Sequence, residues 1–412
     1  MNPVPTREAA LARLAEFLPA AGRRYAETRN ADDGPREGGG RGNVSQLSPW
    51  LHAGLIREPE VLQAVLGKHA PRAAEKFIAE VFWRIYFKGY LEQRPAIWDD
   101  YCTGRDGALA AMARNAGLQR AYAEATEGRT GIAAFDVWAQ ELAETGYLHN
   151  HARMWFASIW IFTLKLDWRL GADFFLRHLM DGDAASNTLS WRWVAGLHTK
   201  GKHYLARADN IARYTSGRPG GALRADGLAE DAEPLSEAQD YGRQKLDLPA
   251  PVSAGDLAEP FALLLHDEAA HHAPLALPAA PALVLGAARP AARSPGTVGA
   301  LASGFANGAV ASGMADAATA FGCPATEWRA GEPLAALLAE AGLSRIAVPY
   351  LPAGWTRDAL MPDIAPLAAQ GRVVTILGDL DRATRPHAKA GFFGVAKAID
   401  GLLAECGITG GA

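Results

Sequence analysis

Asp181-Gly182-Asp183-Ala184-Ala185-Ser186-Asn187-Thr188-Leu189-Ser190-Trp191-Arg192-Trp193 is the stretch on which the reading of this chain turns. Two acids two apart, an Asn among small residues and a Trp-x-Trp pair make an unusual mixture. Small residues let a backbone come close to a ligand, and carboxylates accept hydrogen bonds from it. The indoles add broad apolar faces and one N–H donor each. A flat, hydrogen-bonding, aromatic ligand is indicated. Taken alone, the segment equally suits a Trp-rich helix packed into a core.

Upstream stand Thr145-Gly146-Tyr147-Leu148-His149-Asn150-His151-Ala152-Arg153-Met154 and then Leu166-Asp167-Trp168-Arg169-Leu170-Gly171. In order and spacing, Thr145 to Trp193 resembles the flavin-binding core of the DNA photolyase/cryptochrome family. There the pattern runs T-G-W-M-H-N-R-x-R-M, I-D-W-R-x-G, then D-x-D-x-A-x-N-x-x-x-W-x-W. The 23-residue separation of Trp168 and Trp191 is also the family's. The resemblance implies an all-α photolyase-type FAD-binding domain with FAD as cofactor.

Gly42-Asn43-Val44-Ser45-Gln46-Leu47-Ser48-Pro49-Trp50-Leu51 resembles the family's phosphate segment, G-x-T-S-x-L-S-P-Y-L. Ser45, Gln46, Leu47 and Ser48 are therefore expected on the cofactor diphosphate, where hydroxyls and N–H groups at a helix start suit an anion. Val44 replaces the usual Thr, and without the resemblance Ser-x-x-Ser reads as a helix cap. Tyr25 matches the tyrosine preceding that segment. Asn150 and Arg153 fall one turn apart, so both can face one site. The resemblance pairs Arg153 with Asp181, puts Asp183 on the flavin or ribose, and sets Asn187 opposite flavin N5.

On the substrate side, Glu80-Val81-Phe82-Trp83-Arg84 resembles E-L-x-W-R-E-F. The family's Glu hydrogen-bonds a flipped pyrimidine dimer and its Trp stacks on it. Met154 and Trp193 match two further pocket positions. An extruded base pair needs aromatic walls and a polar group at the base edge, which these residue types supply. Trp191 and Trp168 match the first two members of the family's tryptophan relay. The outermost member has no counterpart between Gly104 and Glu127, which leaves Trp155, Trp160 and Trp98 as candidates. Thr188-Leu189-Ser190 and Gly201–Asn210 depart from the family pattern beside the expected pocket.

At 412 residues the chain is long enough for two cores, and 49% hydrophobic with 21% charged residues is ordinary for a globular protein. No run approaches a membrane span, and Met1–Arg7 does not begin a signal peptide. Cys102, Cys323 and Cys406 are too scattered for a zinc site or a four-cysteine cluster, so no metal is expected. A cytoplasmic setting is the default. A net charge of −4 excludes a chain basic all over but not a local patch, and one is expected around Arg192, Lys200, Lys202, His203, Arg207 and Arg213.

An amphipathic helix is expected at 6–25, a Gly-rich charged loop at Asn30–Asn43, and helices almost throughout Ser48 to Arg213. Residues 1–215 are thus read as the helical FAD domain and 216–257, poor in periodicity, as a linker. After residue 258 apolar runs at Phe261–Leu265, Ala282–Leu285, Arg345–Val348 and Val373–Leu377 alternate with helices at Gly313–Phe321, Pro333–Ala341 and Asp358–Ala369. That order predicts a Rossmann-like α/β parallel-sheet domain over 258–412. It also resembles the family's antenna domain, which ordinarily precedes the flavin domain, so a circular permutation is expected, with an unrelated Rossmann-like appendage as the alternative. Any antenna chromophore is unidentified.

The resemblance implies light-driven repair of UV-damaged DNA, reduced FAD giving an electron to a dimer held by Glu80, Trp83, Met154 and Trp193. Two alternatives stand beside this lyase reading: a cryptochrome-like photosensor acting on a protein partner, and a non-catalytic nucleic-acid-binding flavoprotein.

Overall fold

The computed structural model describes residues 3–35 and 40–410, so part of the expected Asn30–Asn43 loop lies outside the described residues. The N-terminal half is helical: α1 Arg7–Phe17, α2 Arg23–Thr28, α3 Ser48–His52, α4 Glu58–Leu66, α5 Pro71–Glu92 and α6 Ala96–Ala113. There follow α7 Ala116–Thr126, α8 Ala133–Thr145, α9 Asn150–Ser158, α10 Trp168–His178, α11 Ala184–Ala195 and α12 Ala208–Thr215. The single helix expected at 6–25 is broken by a 3₁₀ turn at Leu18–Ala20. Pro19 causes it, because a proline ring removes an N–H from the helical ladder. Among the described residues no helix is long and apolar enough to cross a membrane.

α5 is the spine of this half. Pro71 opens it, and Phe77, Ile78, Val81, Phe82, Ile85 and Tyr86 recur at helical spacing and are buried. α11 carries the decisive motif. The Asp183 side chain accepts from Ser186 N at 2.7 Å and caps the helix start. Gly196 ends it at φ +86, and a Cβ there would stand 2.7 Å from Pro234.

The C-terminal half holds a five-stranded parallel sheet in the order β3-β2-β1-β4-β5. Its strands are β1 Phe261–His266, β2 Leu283–Ala287, β3 Ala325–Glu327, β4 Arg345–Pro349 and β5 Val373–Ile376. Ala262 pairs with Leu283, Phe261 with Arg345 and Ile346 with Val373. Helices α13 Ala300–Phe321, α14 Leu334–Glu340 and α15 Trp355–Ala369 connect β2 to β3, β3 to β4 and β4 to β5, while β1 reaches β2 through a loop with a 3₁₀ turn at Ala273–Leu275, giving a Rossmann-like unit. β3 carries no apolar run, being three exposed residues on the sheet edge, and its strand character comes from pairing with β2.

The last helices, α16 Asp379–Thr384, α17 Phe393–Ala396 and α18 Ile399–Glu405, do not belong to the sheet's core. Leu380, Val395, Leu402 and Leu403 join the buried cluster built on α1, α4 and α5. The expected boundary at 258 therefore separates the two layers in sequence but not in packing.

Residues 216–257 also differ from a loose linker. Leu235 N donates to Ala195 O at 2.9 Å and Gln244 N to Gln93 O at 2.7 Å, binding the segment along the helical domain. Its strongest tie is Arg218, which donates to Asp32 Oδ2 at 2.6 Å and to Glu141 Oε2 at 2.7 Å. Arg41 pairs with the other oxygens of the same two acids, closing a four-membered ring of buried charges. The Asp32 and Arg41 side chains are thus interior. Burial alone would raise the Asp32 carboxyl, but Arg41 and Arg218 outweigh it and hold it below the usual range. Removing one member of such a ring strands its partners. Arg218→Met should lower unfolding free energy by about 3–5 kcal/mol in a denaturant titration; a loss below about 1 kcal/mol would mean the segment is not anchored there.

Candidate functional site

A cavity of about 810 Å³ opens between α2, the 44–48 loop, α5, α9 and α11. Its size suits a cofactor-sized ligand. On one wall lie Tyr25, Ser45, Gln46, Leu47 and Ser48, and on another Asn150, Arg153, Asp181 and Asn187. Glu80, Trp83, Met154, Trp191 and Trp193 also line it. Residues far apart in the chain are therefore brought to one space, as the motif spacing implied.

The 41–48 loop is held from below. Arg13 donates to Ser45 O at 2.8 Å, Val44 O at 3.0 Å and Arg41 O at 2.9 Å. Gln46 takes a left-handed φ of +55 and its side chain accepts from Arg41 N at 2.7 Å. Opposite, Arg153 donates to Asp181 Oδ2 at 2.9 Å and to Leu148 O at 3.0 Å, the expected pairing. Burial would raise the Asp181 carboxyl, yet the Arg153 charge keeps it below the usual range and so ionised. Asn187 Nδ2 donates to Ala172 O at 2.9 Å, which leaves the amide oxygen and the second N–H for a ligand.

One residue expected at the cofactor lies elsewhere. Asp183, expected on the flavin or ribose, turns away: it caps α11 and faces Lys88 Nζ at 3.3 Å and His52 Nδ1 at 3.7 Å. With His52 and Glu268 it forms a cluster of metal-like spacing, but the Lys88 ammonium, 2.6 Å from Glu268, supplies the cation there. Trp168 does not line the cavity, and its ring neighbour is Tyr101 at 5.8 Å, beyond which lies Trp98 at 5.3 Å. Trp191 instead meets Trp160 edge-on at 6.3 Å, and Trp160 meets Tyr122 at 5.9 Å. Gly171 permits this, because a Cβ there would be 2.3 Å from the Trp191 ring and 3.0 Å from Trp160. Trp155, another candidate exit, stacks on Trp138 at 5.4 Å and donates to Asn210.

The departures from the family pattern resolve by position. Thr188 and Leu189 are wholly buried in the helical core, and only Ser190 of that trio reaches the cavity. Arg192, expected in a surface patch, is buried and paired with Glu237 of the 216–257 segment. Lys200 and Arg207 are exposed but lie beside Asp240 and Asp209. Glu80 is paired with Arg29.

Sequence reasoning missed His198, Thr199, Gly391 and Phe392, all of which line the cavity. No local pattern marks them, since they arrive from loops after α11 and α16.

Residues 77–216 match the family described as the FAD binding domain of DNA photolyase. Over these residues the chain is similar to that domain. The chain is 35% identical over 229 residues to the deoxyribodipyrimidine photo-lyase of Streptomyces griseus, covering 52% of this chain and 47% of that protein. It is 33% identical over 214 residues to a chloroplastic/mitochondrial cryptochrome DASH of Ostreococcus tauri, covering 50% and 36% respectively. The chain thus spans about half the length of the photo-lyases it matches, or less. Among solved structures, a bacterial class III photolyase from Agrobacterium tumefaciens is 28% identical over 51% of this chain and 42% of that one, with a TM-score of 0.42.

FAD is the cofactor of this domain, and the cavity fits it. Asp181 Oδ1 and Trp191 Nε1 are buried without a partner, leaving one acceptor and one donor on residues that line the space. Purified protein should bind FAD at about one equivalent, and Arg153→Leu should weaken binding roughly tenfold or more by stranding Asp181. Equal FAD affinity in that variant, read by fluorescence titration, would move the cofactor away from this wall.

The cavity's histidines give a pH dependence. Burial first, then neighbouring arginines, pushes His149 down to about 3 and His151 and His198 to about 4. All three are neutral when folded and protonate readily when unfolded near 6.5. Their stabilisation is whole above that value and drains as pH falls from about 6.5 towards 4. Thermal melts of the apoprotein should show Tm falling steadily from pH 7 to 5; a flat profile would contradict this burial.

Proposed function

We propose that this chain is a light-driven repair flavoprotein acting on pyrimidine dimers in DNA, the cavity serving both FAD and the flipped lesion. The observation that carries this reading is the convergence of Glu80, Trp83, Met154, Asn187 and Trp193 on the cavity that holds the FAD-motif residues. Bound FAD supplies light-driven one-electron chemistry. The chain's own part is to hold and orient. Tyr25, the 45–48 loop, Asn150 and the Arg153–Asp181 pair would hold the cofactor, with the Asn187 amide as a polar neighbour for its ring system. Trp83 and Met154 would wall the lesion and Trp193, 37% exposed at the rim, would guide it. Glu80, already paired with Arg29, would meet a base edge with a carboxylate held in place.

The α/β unit is read as the antenna domain placed after the FAD domain, a circular permutation of the usual order. Its all-parallel sheet and its contacts along α5 support that reading. A sensory role is the second reading, favoured by one observation: the Phe392 ring stacks on Trp83 at 4.0 Å, where a lesion would lie.

Reduced, FAD-loaded protein illuminated with an oligonucleotide carrying one thymine dimer should restore the two thymines, seen by chromatography. Glu80→Gln should slow this at least tenfold with FAD content unchanged. No light-dependent turnover in single- or double-stranded DNA would leave the sensory reading.

Electron supply to the bound cofactor is expected through Trp191. Trp191→Phe should slow photoreduction by a thiol strongly. Trp160→Phe should slow it more than Trp168→Phe, because the ring contacts from Trp191 run to Trp160 and Tyr122. The reverse order would restore Trp168 as the second step.

A further inference from the structure

The Phe392 ring lies nearly parallel to Trp83, at 4.0 Å and 12°. That separation is the one a nucleobase would adopt on the same face, and no second ring fits between them. Tyr86 meets Phe392 edge-on at 5.7 Å and Trp83 at 5.2 Å, completing a small aromatic box at the cavity. The face assigned to the lesion is therefore already filled from within the chain.

The segment bearing Phe392 is built to be held at its ends. Ala388 and Val395 are fully buried in the helical core, while the residues between them are largely exposed. Gln93 Nε2 donates to Arg385 O at 3.1 Å and Ala388 O at 3.0 Å. Arg94 donates to Lys389 O at 2.7 Å and Tyr86 Oη to Ala390 O at 2.7 Å. These anchors stop one residue short of Gly391, whose absent Cβ would touch nothing within 4 Å. Gly391 and Gly394 flank the Phe392-Phe393 pair, and Phe393 is exposed. The backbone is thus anchored up to Ala390 and buried again at Val395, and between them Gly391 O accepts from Gly394 N at 3.3 Å and Phe392 O from Ala396 N at 2.9 Å, so the ring rides on the first turn of α17.

We propose that Phe392 is the resident occupant of the base-stacking face of Trp83, a lid that a flipped base must displace to enter. This rests on the reading of the cavity as a nucleobase pocket. The lid trades one stack for another, so it weakens every base and favours those already unpaired, whose extrusion costs least. It sets which substrates enter and takes no part in the chemistry.

The test uses the full-length, FAD-loaded chain and fluorescent single-stranded oligonucleotides with or without one thymine dimer. Phe392→Ala and Phe392→Leu, which lacks a flat ring, should each bind the dimer at least about fivefold tighter than the unaltered chain, on the scale of one base–aromatic stack. Phe392→Trp should not, since it keeps the stack. Arg94→Ala, which frees Lys389 O outside the cavity, should act in the same direction more weakly. Melting temperature and FAD content report that each variant is folded. If the dimer is preferred over intact DNA but Phe392→Ala and Phe392→Leu bind it no better, Phe392 is a fixed wall. The lid is then overturned and the repair reading stands. If no variant prefers the dimer even with the face cleared, both the lid and the repair reading fall.

Discussion

The buried ammonium of Lys88 is the constraint around which the two halves are assembled. It stands 3.3 Å from Asp183 and 2.6 Å from Glu268, so one charge on α5 joins the cap of α11 to the end of β1. Burial would strip its proton, but the two carboxylates outweigh that and keep its pKa raised. Glu268 and Asp183 are held ionised in return. Such a triad gives little net stability over apolar packing, because desolvation offsets most of the attraction. What it gives is register: three charges that must meet leave one way to dock the sheet on the helices.

That docking explains how the two acids of the opening motif divide their work. Asp183 commits to Lys88 and to the start of α11, and so fixes the helix that presents Asn187, Trp191 and Trp193. Asp181, two residues earlier, points to the other side and holds Arg153 at the cavity. The peptide between them is tied as well, for Trp355 of α15 donates to Gly182 O at 3.0 Å. Farther along α5, Glu92 accepts from Tyr350 Oη at 2.9 Å beyond β4. The C-terminal ends of β1 and β4, where open α/β sheets usually receive ligands, here receive the helical domain.

Much of the cavity was legible in the sequence because its residues sit in short motifs whose spacing survives translation into helices. Asn150 and Arg153 share a helix face by periodicity alone. Asp183 was misjudged because a carboxylate's partner is chosen by whatever packs across from it, and Lys88 lies 95 residues away in the chain. β3 was silent since its three exposed residues carry no alternation. Phe392 was silent for a different reason: nothing local distinguishes an aromatic that fills a core from one that crosses the chain to cover a pocket. The sequence signalled the Rossmann-like sheet through its apolar runs, but not that α16 to α18 would return to the helical core.

The aromatic network shows how a small residue can set ring packing without touching a ligand. Gly171 sits where the rings of Trp191 and Trp160 converge, and any side chain there would overlap both. Its absence of a Cβ lets Trp160 approach the cavity tryptophan edge-on, while Trp168, on the same helix, faces Tyr101 instead. Electron hopping depends steeply on ring separation, so this packing is what favours the Trp160 branch in the proposed electron supply. The two branches also end differently. Trp98 donates to Asp358 of the α/β unit at 2.6 Å and is buried, whereas Tyr122 is half-buried beside Arg177. An exit to solvent is physically open at Tyr122 and closed at Trp98. In the proposed electron supply Tyr122 would take the place of the missing outermost tryptophan, reached through a ring contact that Gly171 makes possible.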